Sequence, residues 1–233
     1  MVKDDIYCRK EGRLTLVDRK KIHGRSSCHI SWDYDESHLI VVSYWDSKLT
    51  TFTVDEAGML GEAVEVYRQA GAEYVDSHSP DRWEHLQHRQ RWPHLHQVNR
   101  EPARRMFLVP DLGQDQIQCF DIQHGQISHL GSQQLRRGAG PRHLDWNKHQ
   151  PILYVCGELD NTVTVLTYNT RLVGKVMAGN FHGDVTSEDQ STSLMSVIQT
   201  IKTVPEGLTT KSTIAEMRLH PSGRWRDCEG IQF

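Results

Sequence analysis

One spacing recurs along this chain of 233 residues and restricts its fold more than any single motif. Aligned without gaps on a histidine, His29-Ile-Ser-Trp32 leads to Val42-Ser43-Tyr44-Trp45-Asp46, His96 leads to Val109-Pro110-Asp111-Leu112-Gly113, and His143-Leu-Asp-Trp146 leads to Cys156-Gly157-Glu158-Leu159-Asp160. In each copy the residue fifteen after the histidine ends the second apolar run, and a further strand-like run follows at residues 49–54, 117–122 and 162–168. A fourth copy begins at Ile214-Ala215-Glu216 and continues through His220-Pro-Ser-Gly-Arg224. The anchors lie 67, 47 and 73 residues apart, which fits a unit of about 45 residues carrying two insertions. Two polar stretches, residues 69–91 and 179–193, read as long excursions from the core. Short β-branched and aromatic runs at residues 40–42, 106–109, 152–156 and 162–166 sit between Asp, Gly, Asn and Pro, and no window holds a helical period for three turns. Four strands per unit at this period is the pattern of a β-propeller blade. The expected fold is therefore all-β, a partial β-propeller of about four to five four-stranded blades forming a single incomplete domain over residues 1–233.

Composition narrows the partners. Lys plus Arg total 27 against 30 Asp plus Glu, a net charge of -3, so the basic footprint of a nucleic-acid binder is missing. The longest aliphatic run, Leu39 to Val42, is far below the roughly 18 residues of a membrane-spanning helix. Met1-Val2-Lys3-Asp4-Asp5 places acids where an export signal carries basic then apolar residues. Five cysteines, Cys8, Cys28, Cys119, Cys156 and Cys228, are odd in number and scattered, which argues for a reducing, cytoplasmic setting without a disulfide framework.

The repeat also predicts where chemistry gathers. In an antiparallel hairpin the residues i and i+15 meet at the open end, and if the first strand of each blade lines the channel, these pairs converge on one mouth. They are His96 with Asp111 and His143 with Glu158, with His94 and Arg142 beside them. Trp92-Pro-His-Leu-His96 puts two imidazoles at i and i+2, one face of a strand and a usable catalytic or metal-binding pair. The plainer alternative is a hydrogen-bonded core histidine. A zinc site is a rival because five of fourteen histidines fall between His78 and His96, but paired ligand spacing is absent and no metal is assigned. Arg142, after the glycine turn Gly138-Ala-Gly140-Pro141, offers a fork for carboxylate or phosphate, against an ordinary surface ion pair. Glu158 is the acid expected beside it: the cation would keep it ionised, and burial would oppose this. Asp111 in Asp-Leu-Gly-Gln-Asp115 equally suits a tight turn.

Taken together, Pro93-His-Leu-His96, Val109-Pro-Asp-Leu-Gly-Gln-Asp115, Gly140-Pro-Arg-His143, Gly157-Glu-Leu-Asp-Asn161 and Ala215-Glu216 with His220-Pro-Ser-Gly-Arg224 resemble, in order and spacing, the lactonase family of seven-bladed propellers over about residues 12 to 224. That family includes bacterial-type 6-phosphogluconolactonases and fungal carboxy-muconate cyclases. The resemblance implies His94, with His96 as its neighbour, Arg142 and Glu158 as catalytic residues; with the repeat geometry, His96, His143 and Asp111 are the expected substrate-binding residues. It implies hydrolysis of a small anionic sugar lactone of the 6-phosphogluconolactone kind, with no cofactor. A cyclase running the chemistry in reverse and a non-catalytic interaction module are the alternatives. Gly157 replaces the family's asparagine. Where the family continues into a strand ending in Ser-Asn-Arg, residues 225–233 depart from its pattern and Ile231 stands where the arginine would, so the second strand of that unit is expected to be lost. The chain reads as cut short at both ends, and its open blade edges suggest self-association.

Overall fold

A computed structural model describes residues 3–10, 12–72, 89–102, 106–178, 193–205, 207, 212–220, 222 and 226–232. Most of the two polar excursions, at 73–88 and 179–192, lies outside the described residues. Five sheets follow one another along the chain, three with four strands and two with two. The first is the hairpin β1 (Lys3–Lys10) and β2 (Arg13–Lys21). The next is β3 (Ser27–Trp32), β4 (His38–Ser43), β5 (Lys48–Val54) and β6 (Leu60–Arg68). Then come β7 (Asn99–Arg100), β8 (Met106–Asp111), β9 (Gln116–Gln123) and β10 (Gln126–Gln134). β11 (Pro141–Trp146), β12 (Ile152–Gly157), β13 (Thr162–Tyr168) and β14 (Met195–Lys202) form the fourth sheet, and β15 (Ser212–Leu219) pairs with β16 (Arg226–Gln232) in the fifth. All pairs are antiparallel neighbours in sequence, the meander of a propeller blade.

The second strand of the last unit, expected to be lost, is present as β16, paired with β15 from Ser212↔Gln232 to Leu219↔Arg226. A short helix absent from the sequence reading, α1 (Thr170–Met177), sits between β13 and β14. It is only eight residues long, too short to sustain a visible period, and Asn169 Oδ1 caps it by accepting from Leu172 N at 3.0 Å. No helix among the described residues is long and apolar enough to cross a membrane.

Strand alternation explains why the middle runs are apolar on both faces. Phe107 and Val109 of β8 pack with Ile40, Val42 and Leu49 of the preceding sheet. Met106 and Leu108, which alternate with them in sequence, pack with Leu144, Leu153 and Val155 of the following one. Successive side chains of a strand leave opposite faces, so a sheet sandwiched between two others is apolar at every position. Tyr154, Cys156 and Val165 repeat the arrangement against Ile214 and Met217 of β15.

The pairing register corrects the gap-free alignment of the second unit. Leu95↔Asp111 and Asn99↔Leu108 match Pro141↔Gly157 and Asp145↔Tyr154, each position lying 46 residues before its counterpart rather than 47. Gln97, not His96, is therefore the counterpart of His143, and Leu112, not Asp111, that of Glu158. A one-residue bulge interrupts the first strand of every unit: between Ser27 and His29, between Pro141 and His143, between Ile214 and Glu216, and in the shift between Leu95 and Asn99. Cys28, His96, Arg142 and Ala215 occupy that bulge. The following turn is as regular, since its fourth residue is left-handed in Ser47, Asp115 and Asn161 at φ 49, 55 and 54. Asn and Asp tolerate that conformation best after glycine.

Candidate functional site

The bulge turns Arg142 toward the end of the neighbouring strand, where the turn begins with Glu158. Arg142 Nη1 donates to Glu158 Oε2 at 2.6 Å, and its Nε donates to Ala215 O at 2.6 Å. Arg89 Nη1 donates to the other carboxylate oxygen, Oε1, so Glu158 is held between two guanidiniums. Gly140 carries this arrangement: its carbonyl accepts from Glu158 N at 2.8 Å, its φ is +60, and an added Cβ would lie 2.5 Å from Leu159 Cγ. Asp115 ties the pieces together, accepting at Oδ1 from Gly140 N at 2.8 Å and from Gln90 Nε2 at 2.7 Å, and at Oδ2 from Gly138 N at 2.8 Å. The segment bearing Arg89 and His94 runs close beside Gly113, where a Cβ would stand 1.7 Å from Trp92 O.

Imidazoles form the adjoining wall. The His94 ring stacks on Tyr44 with centroids 4.6 Å apart, and His96 meets the same Tyr44 edge-on at 5.4 Å. The i, i+2 geometry is thus realised, with both rings on one side, although the segment makes only a single bridge at Leu95 rather than a ladder. His96 also meets His143 at 5.0 Å, and His143 meets His29 at 6.0 Å. Trp45 closes on His94 at 5.4 Å. His94 Nδ1 hydrogen-bonds Tyr44 O at 3.2 Å, which fixes that nitrogen as the donor in the neutral ring. His143 Nδ1 meets Glu216 Oε1 at 2.9 Å, while His96 Nδ1 and His143 Nε2 are buried without a hydrogen-bond partner among the described residues.

Burial and nearby cations keep these rings neutral. Burial lowers His94 to about 4, with Arg89 pushing the same way and the Tyr44 carbonyl opposing. Burial, then the charge of Arg142, brings His96 to about 2, and burial with His143 beside it brings His29 to about 4. His143 is also lowered by burial, against the opposing pull of Glu216. Burial raises the Tyr44 phenol to a value far above its ordinary range, with Arg89 pulling the other way. Arg89 itself is held up by Glu158 against the effect of burial.

Of the expected residues, the structure brings Arg142 to Glu158 in direct contact, and Tyr44 and the histidine wall join His94, His96 and His143 to them. Asp111 is elsewhere. Its Oδ1 accepts from the amides of His94, Gly113 and Gln114 at 2.8, 3.1 and 3.2 Å, and the residue is wholly buried. The one-residue register shift gives Asp111 the place of Gly157 and turns its carboxylate into the backbone, so a substrate-binding position is corrected to a turn-holding one. Burial raises its carboxyl to about 6. Three contributors were not singled out by the sequence. Arg89 lies in an excursion whose only signal is its Arg and His content; Tyr44, fifteen after His29, and the anchor Glu216 stand at repeat positions, but spacing alone does not tell which way a side chain turns. Among the described residues no three His, Cys, Asp or Glu side chains are placed to hold a metal ion.

The fold has counterparts among known proteins. The family model described as lactonase, 7-bladed beta-propeller, matches residues 6–178. The 6-phosphogluconolactonase of Bacillus subtilis (strain 168) is 27% identical over 217 residues, covering 93% of this chain and 53% of that protein. The 6-phosphogluconolactonase of Photorhabdus laumondii is 29% identical over 143 residues, covering 60% of this chain and 37% of that protein. Among solved structures, a periplasmic gluconolactonase of Pseudomonas aeruginosa superimposes with a TM-score of 0.75 at 20% identity, over 99% of this chain and 57% of that one. A protein from Lactobacillus plantarum gives the same TM-score of 0.75 at 17% identity, over 98% and 57%. The chain spans about half the length, or less, of the curated relatives it matches. Its matched sequence and its train of four-stranded sheets make it a member of the lactonase family of seven-bladed β-propellers.

Proposed function

We propose that this chain carries the catalytic wall of a lactone hydrolase acting on a small anionic sugar lactone of the 6-phosphogluconolactone kind. The observation that supports this most is the clamp of two guanidiniums on one carboxylate, Arg89 and Arg142 about Glu158, at the channel end of β11 and β12. Two cations against one anion leave a positive charge for the phosphate of the substrate or for the oxyanion that forms on its carbonyl. When a guanidinium turns to the substrate, a carboxylate oxygen of Glu158 is left free to face the water. It then takes a proton from water as the water oxygen bonds to the lactone carbonyl carbon, and the carbonyl electron pair moves to oxygen beside Arg142. Collapse of that intermediate breaks the ring carbon–oxygen bond, and the proton on Glu158 passes to the departing ring oxygen, which yields the open hydroxy acid. Positioned general-base help of this kind gives about two to four orders of magnitude in rate. His94 and His96, neutral and packed on Tyr44, orient the substrate and its water rather than carry charge. The odd number and wide scatter of the cysteines accord with a cytoplasmic setting.

The test is acid release from 6-phosphogluconolactone above its spontaneous rate. Arg142→Ala and Glu158→Ala should each remove at least about a hundredfold of that excess. No excess rate in the unsubstituted chain, or undiminished rates in both variants, rejects the reading.

A further inference from the structure

The residues that follow the four bulges, His29, Gln97, His143 and Glu216, stand at one register in successive sheets. At the first two junctions such a side chain accepts an amide from the next sheet: Val98 N donates to His29 Nδ1 at 3.4 Å and Leu144 N to Gln97 Oε1 at 2.7 Å. The third junction departs from this rule. Met217 N donates instead to Glu216 Oε1 at 2.9 Å, and His143 Nδ1 meets that same oxygen at 2.9 Å. A carboxylate thus stands between the imidazole and the amide that the repeat would have given it.

An ionised carboxylate only accepts, so the hydrogen of a neutral His143 ring sits on Nδ1 and the lone pair on Nε2. Burial raises the Glu216 carboxyl, but His143, the Met217 amide and Arg218 bring it below its ordinary value. Burial, with Arg142 and Arg218, keeps His143 neutral against the pull of Glu216. His29, on the other side, is in the opposite state, since its Nδ1 accepts and its hydrogen therefore lies on Nε2. His143 is 8% exposed, and its Nε2 has no partner among the described residues. His96 is 6% exposed, its ring lies 5.0 Å from that of His143, and its Nδ1 is unpaired in the same way. Buried polar atoms are nearly always paired, so two unpaired nitrogens on adjoining rings mark a place where a ligand supplies the partner. A hydroxyl fits both, donating to His143 Nε2 while accepting from a hydrogen on His96 Nδ1.

We infer that Glu216 is a positioning residue: by holding the hydrogen of His143 on Nδ1 it makes Nε2 the acceptor that recognises a hydroxyl of the ligand. The anionic part of that ligand rests on the lactone-hydrolase reading, with Arg142 beside His143 to hold it, so the ligand class is a hydroxylated organic anion.

Two measurements test this without turnover. Long-range proton–nitrogen correlation of labelled imidazoles should find His143 protonated at Nδ1 and bare at Nε2 in the unsubstituted chain, and mainly the reverse in Glu216→Ala. Calorimetry should show 6-phosphogluconate bound at least about tenfold more tightly than 6-(phosphonooxy)hexanoate, which carries the same two anionic ends and no hydroxyl. That preference should fall below about threefold in Glu216→Ala and in His143→Phe, whereas Arg142→Ala should weaken both acids alike. Glu216→Gln keeps an oxygen for both donors and should retain the tautomer and the preference. A chain that shows both and releases no acid from lactone sinks the hydrolase reading and leaves this inference standing. A proton on His143 Nε2 in the unsubstituted chain, no binding of 6-phosphogluconate at millimolar concentration, equal affinity for the two acids, which would leave the nitrogens to a water, or loss of the preference in Glu216→Gln overturns it.

Discussion

At the scale of single residues, the neutral imidazoles make this wall sensitive to acid. His29, His94, His96 and His143 all titrate below their ordinary value in the folded chain, so between pH 6.5 and about 4 the unfolded chain binds protons that the folded one refuses. Stability contributed by these groups is complete above pH 6.5 and falls as the pH drops. Glu216, lowered despite burial by its His143 partner, adds a loss at lower pH still. Asp111 acts in the opposite sense, because a carboxyl raised to about 6 takes up its proton first in the folded chain and gains stability on acidification. Four groups against one leave a net loss, on the order of a few kcal/mol between pH 7.5 and 5. Thermal melts at the two pH values should show it, and His96→Gln should flatten the dependence; melts that coincide would contradict the burial of the rings. The identity of Arg142 and Glu158 as neighbours was legible because both stand next to repeat anchors. The turn-holding place of Asp111 could be read from its Asp and Gly neighbours, but the register slip that gives it was not visible, since a slip of one residue in a strand exchanges its two faces.

At the scale of elements, turn and bulge decide where those side chains go. Gly140 is the position most exposed to test. Ala there meets both a left-handed φ and the Leu159 side chain, so Gly140→Ala should cost about 1–3 kcal/mol. Because its carbonyl holds the Glu158 amide, lactone turnover should fall further than stability does when both are measured on the same preparation. The inner strands and their hairpin partners were readable as short β-branched runs. The outer strands β6, β10 and β14, half-exposed and rich in polar residues, carried too weak an alternation to be placed, and the bulges are invisible to a gap-free alignment. β16 was misjudged because its sequence departs from the family pattern, yet the backbone pairing with β15 asks only for amide and carbonyl groups.

At the scale of the whole molecule, the apolar clusters of the described residues join each sheet to the next, with the His29–His143 ring contact reaching across, so stability is close to a sum of sheets and the contacts between them. The β7–β10 sheet is apolar on both faces, with Phe107, Leu108, Phe120 and Ile122 fully buried. Amide exchange should be slowest in β8 and β9 and fastest in the hairpins β1–β2 and β15–β16, by at least about a hundredfold, if local opening follows buried contact. Uniform protection across all five sheets would show instead that the chain opens only as one unit. The number of units and their order were plain from the repeat, because a period of strands survives sequence drift.

The bulge shared by four sheets has a consequence for how such a wall changes over time or under design. Positions 28, 96, 142 and 215 hold a thiol, an imidazole, a guanidinium and a methyl on nearly the same backbone. Each works as an interchangeable socket: the letter written there is delivered to the same edge of its sheet while the surrounding ladder stays as it is, so the chemistry of this wall can be rewritten one sheet at a time.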